Sequence, residues 1–299
     1  MSLINTIASF SDLNILIVGD AMVDAYYFGS VDRISPEAPV PVISVSNKDY
    51  RPGGAANVAL NIKSMGAKVT LCSVAGNDEE GKELVRLLEK EGIETNAIIT
   101  DPSRPTTMKT RVISGNQHLL RIDHETTDSI TPELEDQVID FVKQNIENFN
   151  AIVFEDYNKG LLTEKVIESI ITIANNHNIP TIVDPKKENF FAYKNCTLFK
   201  PNRKEIKEGL KTELDLSVFS NVEACANELI SILNCKNVMV TLSEDGVFVR
   251  SSDKSSHIKA HSRTIMDVSG AGDTVVSVAA LCLASGIDIA KMAEIANLA

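Results

Sequence analysis

The residues best suited to chemistry lie in one stretch, Asp267-Val268-Ser269-Gly270-Ala271-Gly272-Asp273-Thr274. Two glycines around an alanine let the backbone turn with consecutive N–H groups pointing one way and little side chain in the approach. The apolar run after it, residues 274–284, reads as a buried helix, so these amides open a helix N-terminus. First-turn donors lack intrahelical acceptors and the macrodipole is positive there, which makes an anion site. Asp273 at such a place is either a helix cap or a base held beside a phosphate. Gly270, Ala271 and Gly272 as anion-binding amides and Asp273 as a base together point to phosphoryl transfer.

Other candidates accompany it. Asp20 and Asp24 follow the first apolar run, where the carboxyl end of a strand faces the usual ligand crevice, and both acids suit sugar hydroxyls. Gly53 and Gly54 precede a helix and admit close approach of a ligand, while Asn57 offers both donor and acceptor. Lys109 and Arg111 alternate on one strand and share a face, as do Arg121 and Asp123 on the next. Lys159 and Lys186 each follow an acid, Asp156 and Asp184, at an expected strand end. These cations suit a dianion, with Lys109, Arg111, Lys159 and Lys186 as phosphate ligands. The ordinary alternative is that they are solvated strand-edge charges. Asn202 and Glu205, at i and i+3 of a helix start, suit Mg²⁺ held through its water shell, or equally a capping box.

What must position these groups is a sheet. Continuous apolar runs at residues 14–19, 68–74, 151–154, 181–183, 197–199 and 237–242 read as strands buried on both faces. Helical patterns separate them at 55–65, 80–91, 132–145, 163–175, 204–209 and 222–233. That alternation predicts an α/β fold of three layers, a mostly parallel sheet flanked by helices. Residues 25–50 and 106–123 break the rhythm. The second of these reads as a hairpin around Gly115-Asn116, and together they predict a small projecting sheet that acts as a lid. The reading is of one domain over 1–299 with that lid. The pattern at 289–299 has no stop signal, which implies an incomplete C-terminal end.

A net charge of −12 repels polyanions, so nucleic acid and anionic membranes are excluded as partners. The five cysteines follow no C-x-x-C spacing and read as free thiols of a reducing compartment. No stretch reads as a secretion signal or a membrane span, so the expected location is the cytoplasm.

Taken in this order, the segments resemble the ribokinase-like PfkB family of carbohydrate kinases. The first family signature appears as Gly53-Gly54-Ala55-Ala56-Asn57-Val58-Ala59 with Gly66, and the second as the Asp267–Thr274 stretch. Within the family the chain is most similar to the D-glycero-D-manno-heptose 7-phosphate kinases. That likeness rests on residues 33–42, Arg51-Pro52, Asp156-Tyr157-x-Lys159-Gly160, residues 107–112 and 117–123, Asp184-Pro185-Lys186 and Pro201-Asn202-x-x-Glu205.

The resemblance implies transfer of the ATP γ-phosphoryl group to a sugar phosphate, with Mg²⁺ and a monovalent cation as further candidates. It implies nucleotide contacts from Thr241, Ser243 and Gly246. Apart from the resemblance, the apolar face around Val40–Val45 on the projecting sheet would be buried well by a two-fold partner, so a homodimer through the lid is expected. Ser243 stands where the family has glycine. A PfkB-type kinase for another sugar or nucleoside, or a binding module without catalysis, remains open. No G-x-G-x-x-G follows Val18, which argues against a dinucleotide-binding dehydrogenase.

Overall fold

The computed structural model describes residues 7–260 and 270–298. Apolar runs become strands and amphipathic runs become helices, in the order β1 (Asn14–Gly19), β2 (Ala21–Ile34), β3 (Pro41–Gly54), α1 (Ala55–Ser64), β4 (Lys68–Gly76), α2 (Glu79–Lys90), β5 (Ile98–Asp101), β6 (Met108–Ser114), β7 (Gln117–His124), α3 (Pro132–Asn145), β8 (Ala151–Glu155), α4 (Glu164–Asn176), β9 (Thr181–Asp184), β10 (Leu198–Phe199), α5 (Arg203–Leu210), α6 (Phe219–Leu233), β11 (Asn237–Thr241), β12 (Val247–Ser251), β13 (Ser255–Ile258), α7 (Ala271–Ala284) and α8 (Ile289–Ala296).

Among the described residues these strands make two sheets. The larger runs β13-β12-β11-β10-β9-β8-β1-β4-β5, parallel from β11 to β5, with β12 and β13 added antiparallel. Its central strands are buried on both faces, and alternate residues enter separate cores. Ile15, Ile17, Val153 and Ile182 pack with α1, α7 and α8; Leu16, Val18, Ile152, Phe154 and Val183 pack with α3, α4 and α6. That parity decides where the polar residues at the strand ends point.

The smaller sheet runs β3-β2-β6-β7. It is mixed, because β2 pairs antiparallel with β3 but parallel with β6. Its hairpin is longer than the sequence suggests: β2 starts two residues after β1 ends, and β3 runs directly into α1. Leu120 and Ile122 on β7 and Ile34 and Val40 at the far end of the hairpin are more than half exposed. No helix among the described residues is long and apolar enough to cross a membrane.

Candidate active site

The carboxyl ends of β8, β9 and β10 set the site's floor. In the parallel register Glu155 lies beside Asp184, and Lys200 follows β10 directly. By the period of two, Glu155, Asp184 and Lys200 continue the rows of Val153, Ile182 and Leu198, on the face that α7 covers. All three are buried, and Lys200 Nζ donates to Asp184 Oδ2 at 2.9 Å.

Helix α7 brings Asp273 to the same place. Gly270 is the N-cap residue with φ +80°, and no side chain caps this helix. The helix begins at Ala271, three residues earlier than the apolar run implied, so Asp273 lies inside the first turn rather than at the cap. Its carboxylate turns inward instead: Oδ2 accepts from Asn57 Nδ2 at 2.6 Å and Oδ1 from the Tyr157 hydroxyl at 3.2 Å. Asp273 is buried while Ala271 and Gly272 are exposed, so a screened carboxylate sits beneath accessible first-turn amides. Burial pushes its pKa up, Asn57 pulls against that, and the charge of Asp184 adds to the rise. Asp267 and Ser269 of the same signature lie outside the described residues.

Asn57 is delivered by the junction of β3 and α1. There Gly54 has φ +58°, and a Cβ on it would stand 2.5 Å from the Asp20 carbonyl oxygen. Gly53 closes directly on the Asp24 side chain. Asp24 in turn pairs with Arg111 across the β2–β6 ladder.

Asp20 and Asp156 occupy the opposite face, and Asp20, expected to bind a sugar hydroxyl, is instead occupied by backbone amides. Asp20 accepts from the backbone amides of Tyr157 (2.9 Å), Lys159 (3.0 Å) and Leu161 (3.4 Å). Burial, with the charge of Asp156 second, raises its pKa to about 6. Asp156 is wholly buried and accepts from Tyr193 Oη at 2.8 Å, Asn189 Nδ2 and its own loop amide at Asn158. Both acids therefore shape the loop after β8, which presents Tyr157 to Asp273.

Each of the candidate cations Lys109, Arg111, Arg121, Lys159 and Lys186 is ion-paired. Lys109 and Lys159 share one carboxylate, Glu125, at 2.7 and 2.8 Å. Burial opposes its charge, but the two ammonium groups hold the Glu125 pKa below the usual range. Arg121 departs from its expected role: its side chain is 60% exposed and is spent on Asp123 of the same strand. Lys186 sits 5.1 Å above the Tyr157 ring and donates to Glu205 Oε1 at 2.9 Å.

The alternative foreseen for Asn202 and Glu205 is what the structure holds. Asn202 Oδ1 accepts from the Glu205 amide and Glu205 Oε2 from the Asn202 amide, both at 2.9 Å, closing a capping box. With Lys186 on its other oxygen, Glu205 offers an ion outer-sphere contact at most. Thr241 bridges Asn202 across the sheet end. In the turn that follows, Ser243 takes φ +54°, a left-handed conformation that suits glycine. Gly246 has φ +88°, and a Cβ there would meet the Ile258 carbonyl oxygen at 2.1 Å. Ser243→Gly is expected to relieve strain of about 1 kcal/mol, less the entropy glycine gains on unfolding. Urea unfolding should show stability unchanged or raised, and a clear loss would reject the strain.

A model of the pfkB family carbohydrate kinases matches residues 12–299. The chain belongs to this family. The bifunctional protein HldE of Trichlorobacter lovleyi is 39% identical over 290 residues, 97% of this chain and 59% of that protein. HldE of Helicobacter pylori strain J99 is 37% identical over 285 residues, 95% of this chain and 61% of that protein. The chain thus spans about three fifths of the curated relatives it matches. Phosphofructokinase-2 from Escherichia coli superposes with a TM-score of 0.77 at 21% identity, covering 95% of this chain and 92% of that one. Arabidopsis thaliana ribokinase, in a complex with ribose and ATP, gives 0.72 at 16% identity, covering 95% and 90%. These two likenesses establish the fold.

Three of this pfkB-family chain's site residues escaped the sequence reading as actors: Glu155, Lys200 and Tyr157. Their signal was parity. A charged residue continuing an apolar strand row past its last buried member must face the same helix layer, and Glu155 and Lys200 both do so.

Proposed function

We propose that the chain is an ATP-dependent sugar kinase whose acceptor is a sugar phosphate of the heptose 7-phosphate type, phosphorylated at its 1-position. The observation that carries this is Asp273, buried under exposed helix N-terminal amides and oriented by Asn57 and Tyr157. Asp273 takes the proton of the attacking hydroxyl, and the amides of Gly270, Ala271 and Gly272 stabilise charge building on the transferred phosphoryl group. Thr241, Ser243 and Gly246 line the ATP phosphates, and Asp24, Gly53, Gly54 and Asn57 face the sugar. Positioning and charge neutralisation supply most of the acceleration in such a reaction. Mg²⁺ bound with ATP would screen phosphate charge. The hard carboxylate oxygens at the floor of the site fit it better than the closed Asn202–Glu205 box. The monovalent cation and the cytoplasmic location stay part of this reading, as does a single kinase domain with its lid.

The phosphate of the acceptor is read from Lys109 and Lys159. Two partly buried ammonium groups converge on one carboxylate, Glu125, and a phosphate dianion matches that arrangement with more charge. The relatives named HldE support the same acceptor class. The test is ADP release measured across sugars and their phosphates with Mg²⁺-ATP. Turnover should require the acceptor's phosphate, and equal turnover of the unphosphorylated sugar would overturn the assignment. Lys159→Met is expected to raise KM for the sugar phosphate about 10-fold or more while kcat changes little, since its contact is made in ground and transition states alike.

A second copy of the chain covering the small sheet is the partner this reading implies. The exposed apolar residues Ile34, Val40, Leu120 and Ile122 support it. Sedimentation at micromolar concentration should give a dimer, and Leu120→Asp should shift it to monomer.

A further inference from the structure

The floor of the site holds more negative charge than its neighbours balance. Glu155, Asp184 and Asp273 each place a carboxylate oxygen within 4.8 Å of the others. Among the described residues only Lys200 is ion-paired with any of them, through Asp184, while Lys186 donates to Glu205. Three carboxylates gather around one ion-paired ammonium in a buried space, where unpaired charge is costly. A second observation is independent of that count. Oε2 of Glu155, on a residue 1% exposed, has no hydrogen-bond partner among the described residues. Buried carboxylate oxygens are rarely left so, and an orphan commonly marks an unseen ion or water.

We propose that Glu155, Asp184 and Asp273 form a protein-ligated divalent cation site, with Glu155 as its dedicated ligand. One divalent ion neutralises the residual charge and partners the orphan oxygen. All three donors are hard oxygens, which selects Mg²⁺, Mn²⁺ or Ca²⁺ over thiolate- and imidazole-seeking metals. Opposed ligands stand about 4 Å apart around Mg²⁺ and about 5 Å apart around Ca²⁺, so the observed spread closes on either with small side-chain movements. Each oxygen of Asp273 accepts one hydrogen bond and keeps a lone pair, so ligation does not require Asn57 or Tyr157 to let go. The site deepens the kinase reading and rests on it for its purpose, a fixed positive charge beside the phosphoryl group. Its existence can be tested without any turnover.

The experiment is titration of Mn²⁺ into the nucleotide-free chain, followed by loss of the free-ion electron paramagnetic resonance signal and by thermal unfolding. Wild type should bind one Mn²⁺ tightly and unfold at higher temperature with it. Glu155→Gln should weaken that binding at least about 10-fold and lose the thermal shift, whereas the surface control Glu80→Gln should retain both. Should Glu155→Gln fail to fold, Glu155→Asp keeps the charge but withdraws the oxygen by one methylene, and binding should fall severalfold. No tight Mn²⁺ without nucleotide, or affinity unchanged in the Glu155 variants, would overturn the site and show that protons alone neutralise the cluster. Neither result would touch the kinase reading, which turns on phosphate transfer and on Asp273.

Discussion

Asp273→Asn is expected to lower kcat about 10²- to 10⁴-fold while leaving the binding of ATP and sugar phosphate within a few-fold of wild type. The substitution keeps the shape that meets Asn57 and Tyr157 but removes the group that accepts the substrate proton. The acid limb of the wild-type rate profile should report protonation of Asp273. The sign follows from the role: a base works ionised, so turnover rises as pH climbs through its pKa. Calorimetric titration of both ligands beside steady-state rates separates this outcome from misfolding. Near-normal turnover in Asp273→Asn would remove the general base from the mechanism. It would leave the exposed amides of Ala271 and Gly272 to carry catalysis by positioning alone.

The fold was legible because fully buried parallel strands write themselves as uninterrupted apolar runs, and β1, β4, β8, β9 and β11 appear where those runs do. The strands that were not legible are β5, β12 and β13. β5 and β13 are the edge strands and β12 lies next to β13, and weaker burial there dilutes the pattern with Thr100, Arg250 and His257. Motif residues were legible as a set but not as a division of labour. Asp20 and Asp24 look alike in sequence, yet the chain changes sheets between Gly19 and Ala21, which leaves Asp20 under the loop after β8, where three amides occupy it, and puts Asp24 on β2 against Arg111. Asn202 and Glu205 carried two readings with the same spacing, and only the side-chain geometry could show the box closed. Glu125 gave no signal, because a lone acid after a strand acquires meaning only when two lysines from distant segments converge on it.

Lys200→Met should be the most destabilising substitution at the site, at about 3–5 kcal/mol, because it strips the counterion from a buried pair without removing the acids. Burial opposes the ammonium's charge, but Asp184, Glu205 and Glu155 outweigh it and raise the Lys200 pKa, so it is held as a cation at neutral pH. Without it, Asp184 and Glu155 must either stay ionised side by side or take up protons. The folded-state pKa of Glu155, already raised by burial and by the charges of Asp184 and Asp273, would then stand further above its value in the unfolded chain. A carboxylate raised in this way makes the folded state bind more protons than the unfolded one, so stability grows as pH falls. The variant's deficit should therefore be largest near pH 8 and narrow toward pH 5, read from urea unfolding across that range. Adding Glu155→Gln to Lys200→Met should recover about 1–2 kcal/mol, since neighbours in one charge cluster are not additive. A deficit that ignored both pH and Glu155 would mean that Lys200 acts by packing its methylenes. The charge balance assigned to the floor of the site would then be wrong.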